Sequence, residues 1–161
     1  MSGIAAPVAT VTSVAIDAAQ QEVLLAELAA LAGSVHDPVA RVRCEELTAA
    51  VAEGAVEEDL LSFFESVLEM SLQTGRARRV HGPESEQALL RLFQQTPRGG
   101  AARRATEAVN KALAALAGQT IEKMLFTIQG PGVFRLGVET DGCKLTLEID
   151  RHCVSVESLE V

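Results

Sequence analysis

The sequence predicts an α+β fold: an N-terminal helical portion of about five helices packed on one face of a C-terminal four-stranded antiparallel β-meander. Three observations predict it. Up to Gly118, apolar residues recur every three or four positions, the period of an amphipathic helix. After Gly118 they alternate every second position, the period of a strand. Asp141-Gly142 then marks a two-residue hairpin turn between two such alternating runs. Helices first and strands last is the α+β order, not the alternation of an α/β sheet.

The helical elements follow from their end signals. Residues 1–16 have no helical period and read as a tail or extended segment, although 10–16 are β-prone. The sequence places that segment against a sheet edge, with strand 4 of the meander preferred, or against another chain. Removal of residues 1–16 is then expected to leave the fold intact. Residues 17–161 read as one α+β domain, helical over 17–118 and β-meander over 119–161. Asp17 caps the first helix, with Gln20 completing a capping box. Its stripe is Val23, Leu24, Leu28 and Leu31, and Gly33 reads as its C-terminal cap. Asp37-Pro38 opens the second helix, an N-cap followed by proline at the first position. It carries Val39, Val42, Leu47 and Val51 and stops at Gly54.

Glu57-Glu58-Asp59 sets three acids at the start of the third helix, where the helix dipole favours them. Its stripe (Leu60, Leu61, Phe63, Phe64, Val67, Leu68, Leu72) is wide enough to need contacts on more than one side, which makes it the central helix. Gly75 ends it. Gly82-Pro83 starts a fourth helix, stopped at Thr96-Pro97. The fifth runs from about Gly100 to Ala117 and is rich in alanine, so a neighbour can approach closely.

The meander has a definite expected register. If Thr140 faces Cys143, then Val138 faces Leu145, Leu136 faces Leu147 and Phe134 faces Ile149. The opposite face then pairs Arg135 with Glu148 and Glu139 with Lys144. A one-residue slip would invert every side chain. A three-residue loop at Gly130-Pro131-Gly132 sets Phe126 opposite Leu136 and Met124 opposite Val138. A turn at Arg151-His152 sets Val156 opposite Leu147. One face is apolar throughout, the pattern of a sheet covered by helices on one side. Leu125 breaks the alternation, but it falls opposite Gly137, which a large side chain can cover.

Composition narrows the function. At 161 residues the chain can bury a core without staples. With five Phe and neither Trp nor Tyr, that core is aliphatic. The net charge of −8 argues against nucleic acid, as does the shortage of rings for base stacking. The three cysteines, Cys44, Cys143 and Cys153, match no metal spacing and read as reduced thiols of a cytoplasmic protein. Cys143 and Cys153 lie at opposite ends of adjacent ladders, beyond the roughly 7 Å between Cα atoms that a disulfide allows. No charged leader and no membrane span is read from the N-terminus. No metal and no cofactor is implied.

Charge is segregated along the chain. Glu45–Leu72 holds eight acids and no Lys or Arg. Gln73–Arg104 holds seven Arg against two Glu, a net +5. Arg76, Arg78, Arg79 and His81 read as a loop entering a helix. Arg98, Arg103 and Arg104 flank Gly99-Gly100 at another helix start, where free N–H groups suit an anion. These six arginines are the candidate anion- or partner-binding residues. The plainer reading is that the acidic and basic regions neutralise each other.

His36, His81 and His152 read as polar loop residues, and Cys44 as a packing residue. No catalytic residue is identified. The function these features favour is a non-enzymatic protein-protein interaction module: an adaptor, accessory subunit or assembly factor. Its partner is another protein joined by sheet-edge addition, or a second copy in a homo-oligomer. The alternatives are a regulator that binds an anionic ligand or nucleic acid through the Arg-rich 76–104 region, and an enzyme whose site is scattered in sequence.

Overall fold

The computed structural model describes residues 12–161. Twelve elements follow one another: β1 (Ser13–Ala15), α1 (Ala18–Ser34), α2 (Pro38–Glu53), β2 (Ala55–Glu57), α3 (Glu58–Gln73), α4 (Arg76–His81), α5 (Pro83–Gln95), α6 (Pro97–Ala114), β3 (Ile121–Gly130), β4 (Val133–Thr140), β5 (Lys144–Ile149) and β6 (Val154–Glu160). The fold is α+β as expected, with six helices among the described residues in place of about five. The addition is α4. Arg76–His81 is a short helix bracketed by Gly75 and Gly82, not a loop. The contacts cluster into two compact units that divide between Gly99 and Gly100.

In the first unit the capping signals hold. The Asp17 carboxylate accepts from Gln20 N–H at 2.8 Å, and the Gln20 side chain returns the bond to Asp17 N–H at 3.0 Å. The Asp37 carboxylate accepts from Ala40 N–H at 2.8 Å ahead of Pro38. Gly54 takes φ +87° just past α2, a conformation glycine adopts without strain. The first helix runs one residue beyond Gly33, to Ser34, with Val35 at its C-cap.

The core of this unit surrounds α3. Phe64 and Leu68 are fully buried among Leu24 and Leu28 of α1, Leu47 and Val51 of α2, and Leu89 and Leu92 of α5. The expected α2 stripe is narrower than its pattern. Val39 and Val42 are exposed, and Cys44, Leu47 and Val51 form the buried face.

Of the two readings of residues 1–16, tail or extended segment, residues 13–15 follow the extended one. They form β1, which pairs antiparallel with β2 of the same chain: Ser13 with Glu57, Val14 with Val56, Ala15 with Ala55. Val14 and Val56 both belong to the core. The strand partner of residues 13–15 is thus β2, not strand 4 of the meander. The part of that expectation that falls on residues 1–11 lies outside the described residues.

In the second unit, most of α6 accompanies a four-stranded antiparallel sheet of order β3-β4-β5-β6. The register is the expected one. Phe134, Arg135, Leu136, Val138 and Glu139 oppose Ile149, Glu148, Leu147, Leu145 and Lys144. Met124, Leu125 and Phe126 oppose Val138, Gly137 and Leu136. The Pro131-Gly132 turn differs slightly: Gly130 pairs with Val133, and a bulge absorbs the extra residue. Val109 and Ala112 of α6, with Leu116 beyond it, pack on Leu136, Leu145, Leu147, Val154 and Val156. Of the alanines in α6, Ala112 is the buried one.

Candidate functional site

The sheet presents one feature that neither its register nor its helix uses up. β3 is an edge strand, and it is apolar and exposed along most of its length. Met124, Phe126 and Ile128 point to the apolar face, yet they are 59, 57 and 75 % exposed. Leu125, on the opposite face, is 53 % exposed, and Ile121 at the strand start is 54 %. One helix cannot cover four strands, and α6 lies over β4, β5 and β6. The Phe126 ring stacks on Phe134 at 5.5 Å between centroids, which fixes its position on the surface.

The main chain adds to this. Thr140 N–H donates to Cys143 O at 2.8 Å across the β4–β5 turn. The even residues of β4 therefore bond toward β5 and the odd ones toward β3. With Arg135, Gly137 and Glu139 opposite Thr127, Leu125 and Lys123, those three β3 residues are the bonded ones. The N–H and C=O groups of Met124, Phe126 and Ile128 are left facing the open edge. Backbone valence and apolar side chain thus coincide on the same three residues.

β6, the other edge, is defended. It carries Glu157 and Glu160, and its register shifts between Thr146 and Leu147, opposite Glu157. Glu157 forms an ion pair with Arg135, which faces Glu148 in register but turns its guanidinium to β6. Lys144 and Glu139 pair at 3.0 Å as expected; their contact holds the Glu139 carboxyl below its ordinary pKa and raises that of Lys144.

The six candidate arginines are mostly engaged. Arg98 is held by Glu65 and Glu69, each at 3.1 Å, and Arg76 by Glu27 at 3.1 Å. Arg78 reaches Glu86 at 3.9 Å, and Arg103 reaches Glu107 at 3.6 Å. Arg79 donates to the Thr74 carbonyl. Arg104 has no ion pair among the described residues. Arg76–Arg98 belong to the first unit, and Arg103 and Arg104 to the second. The helix start at Arg98 does bind an anion, but an internal one. Glu65 Oε1 accepts from Arg98 N–H at 2.7 Å, and Thr96 Oγ1 accepts from Gly99 N–H at 3.2 Å. Gly99 has a packing reason too, because a Cβ there would lie 1.8 Å from the Phe93 carbonyl oxygen.

One acid whose role sequence reasoning missed is Glu27. It lies in the apolar stripe of α1, buried, and accepts from three donors: Ser71 Oγ at 2.9 Å, Arg76 Nε at 3.1 Å and His81 Nε2 at 3.2 Å. His81 borders a groove of about 390 Å³ lined by Glu22, Glu84 and Ser85. A carboxylate holding an imidazole is an element of general-base chemistry. The two serines beside it are engaged: Ser71 donates its hydroxyl to Glu27, and Ser85 donates its own to the His81 carbonyl. The cluster ties α1, α3 and α4 together.

The thiols stay apart. Cys44 and Cys143 are buried, Cys153 is partly so, and all three are free. Burial pushes up the pKa of Cys44 and Cys153, and Asp150 adds to the effect at Cys153. No group of residues able to hold a metal occurs among the described residues, and no described helix is long and apolar enough to cross a membrane. No protein-family model, curated protein or solved structure gives a significant match to this chain.

Proposed function

We propose that the protein is a non-enzymatic protein-protein interaction module, an adaptor, accessory subunit or assembly factor that receives a strand at the β3 edge. One observation carries the reading: Met124, Phe126 and Ile128 present exposed apolar side chains and unpaired main-chain groups at the same edge. An incoming strand would gain ladder hydrogen bonds from the main chain and specificity from alternate side chains. The absence of a defended edge supports it as well, since β6 has charges and a bulge where β3 has neither over Met124–Ile128.

The test compares full-length wild type with Phe126→Glu. The ring is 57 % exposed, so the substitution leaves the core alone. Proteins retained by the wild type and lost from the variant support the reading. Identical sets of retained proteins overturn it.

A further inference from the structure

Resting on the reading of β3 as an interaction edge, we infer that its occupant is a second copy of this chain, joined antiparallel about a two-fold axis at Phe126. An antiparallel two-fold normal to the sheet keeps each residue on its own face, so residues of like parity must meet. Centred on Phe126, it sets Phe126 against Phe126 of the second copy and Met124 against Ile128 of the second copy, twice. All three apolar edge residues then meet apolar residues, with an aromatic pair at the centre. These are the same residues whose N–H and C=O groups face the edge, so the ladder closes in this register. Leu125 falls opposite Thr127 and Lys123 opposite Gln129, with no like charges in contact. Centred on Leu125 instead, the axis would set Ile128 against Glu122.

Charge and area both permit a second copy. Residues 100–161 hold eight acids and seven Lys or Arg, a net −1, while residues 1–99 hold the other −7. The nearly neutral unit is the one with the open edge, so self-association there meets little repulsion. Ile121, Met124, Leu125, Phe126 and Ile128 are all more than half exposed. Taking roughly 150–200 Å² for a large side chain, they offer on the order of 500 Å² per copy. Two copies then bury at most about 1,000 Å², the lower bound for a specific interface and the size of one that dissociates on dilution.

The experiment is sedimentation equilibrium of the full chain, with amide hydrogen exchange on the same samples. The wild type should sediment at twice the chain mass and dissociate on dilution. Phe126→Glu should sediment at the chain mass with an unchanged circular dichroism spectrum. The amides of Met124, Phe126 and Ile128 should be protected in the dimer and lose protection on dilution. In a Cys153→Ser background, Phe126→Cys should crosslink to itself under oxidation, because facing Cα atoms in a bonded antiparallel pair lie about 5.5 Å apart. A wild type that stays at the chain mass overturns the second copy. So does a dimer that survives Phe126→Glu with these amides unprotected. Neither result touches the wider interaction reading, which is decided by whether Phe126→Glu loses retained partners.

Discussion

Arg98 meets Glu65 twice. Its main-chain N–H donates to Oε1 at 2.7 Å, and its guanidinium Nε forms an ion pair with Oε2 at 3.1 Å. The Glu65 side chain is buried, while Arg98 is half exposed. One carboxylate therefore caps the first turn of α6 at Arg98, within the first unit, and joins the acidic and basic stretches of the sequence at this point. Removing it leaves the Arg98 N–H without its acceptor and the guanidinium with Glu69 alone. Glu65→Ala should lower the unfolding free energy by about 1–3 kcal/mol, below the full buried-pair figure because water still reaches Arg98. Glu69→Ala, which removes only the exposed half of the arrangement, should cost at most about 1 kcal/mol. Denaturant titration of both variants checks this, and equal losses would refute it.

Leu147 opposes Leu136 in the β4–β5 ladder and is buried under α6. Leu147→Asp should cost about 3 kcal/mol or more, because it buries a carboxylate without a partner. Ile128→Asp makes the same chemical change on the same face of the sheet, but at a residue 75 % exposed. It should change the stability of the monomer by no more than about 0.5 kcal/mol. Comparable losses at the two sites would mean that β3 is covered.

That contrast marks where the sequence was readable. Asp141-Gly142 fixes a two-residue turn, and a period of two makes any slip invert the sheet, so the pairing of Arg135 with Glu148 and Leu136 with Leu147 followed directly. Alternation tells which face is apolar. It does not tell how many strands one helix covers, so the exposure of Met124, Phe126 and Ile128 was not legible. β2 was hidden because three residues are too few to show a period, and its Glu57 read as part of the acidic start of α3. Glu27 and Glu65 were hidden for a different reason. An acid at a helical position reads as solvated until its partners are known, and those of Glu27 are 44–54 residues away. Thr96-Pro97 reads as the stop of the helix before it, with the next helix from about Gly100, whereas α6 opens at Pro97 and its first turn is completed by a carboxylate from α3.

Asp150 sits at the β5–β6 turn, and one carboxylate oxygen accepts from His152 N–H at 2.7 Å and Cys153 N–H at 2.8 Å. The Cys153 and His152 amides hold its carboxyl below the ordinary value. A depressed folded-state pKa stabilises the protein above the unfolded value, and the contribution disappears as pH falls through the folded value. Asp150→Asn keeps the accepting oxygen but cannot titrate. The melting temperature of the wild type should therefore fall more steeply than that of Asp150→Asn as pH drops below about 4. Parallel curves through that range would exclude the carboxylate as the cause.

The strand at Ser13–Ala15 bears on the expectation that residues 1–16 can be removed with the fold intact. The helical stripes begin at Val23, which makes everything before it look dispensable. Val14 nevertheless lies in the core against Val56, and Ile16 N–H donates to Gly54 O at 2.9 Å. Gly54, with its positive φ, ends α2 and turns the chain so that β2 can run back along β1. Without β1, β2 loses its ladder partner, and Val56 loses the side chain that covers it. Val14→Ala should cost about 1–3 kcal/mol, and Val14→Asp about 3 kcal/mol or more. Chemical denaturation is the measurement. If Val14→Asp unfolds at the wild-type denaturant midpoint, the segment is a tail after all, and the pairing of Val14 with Val56 contributes nothing to the fold.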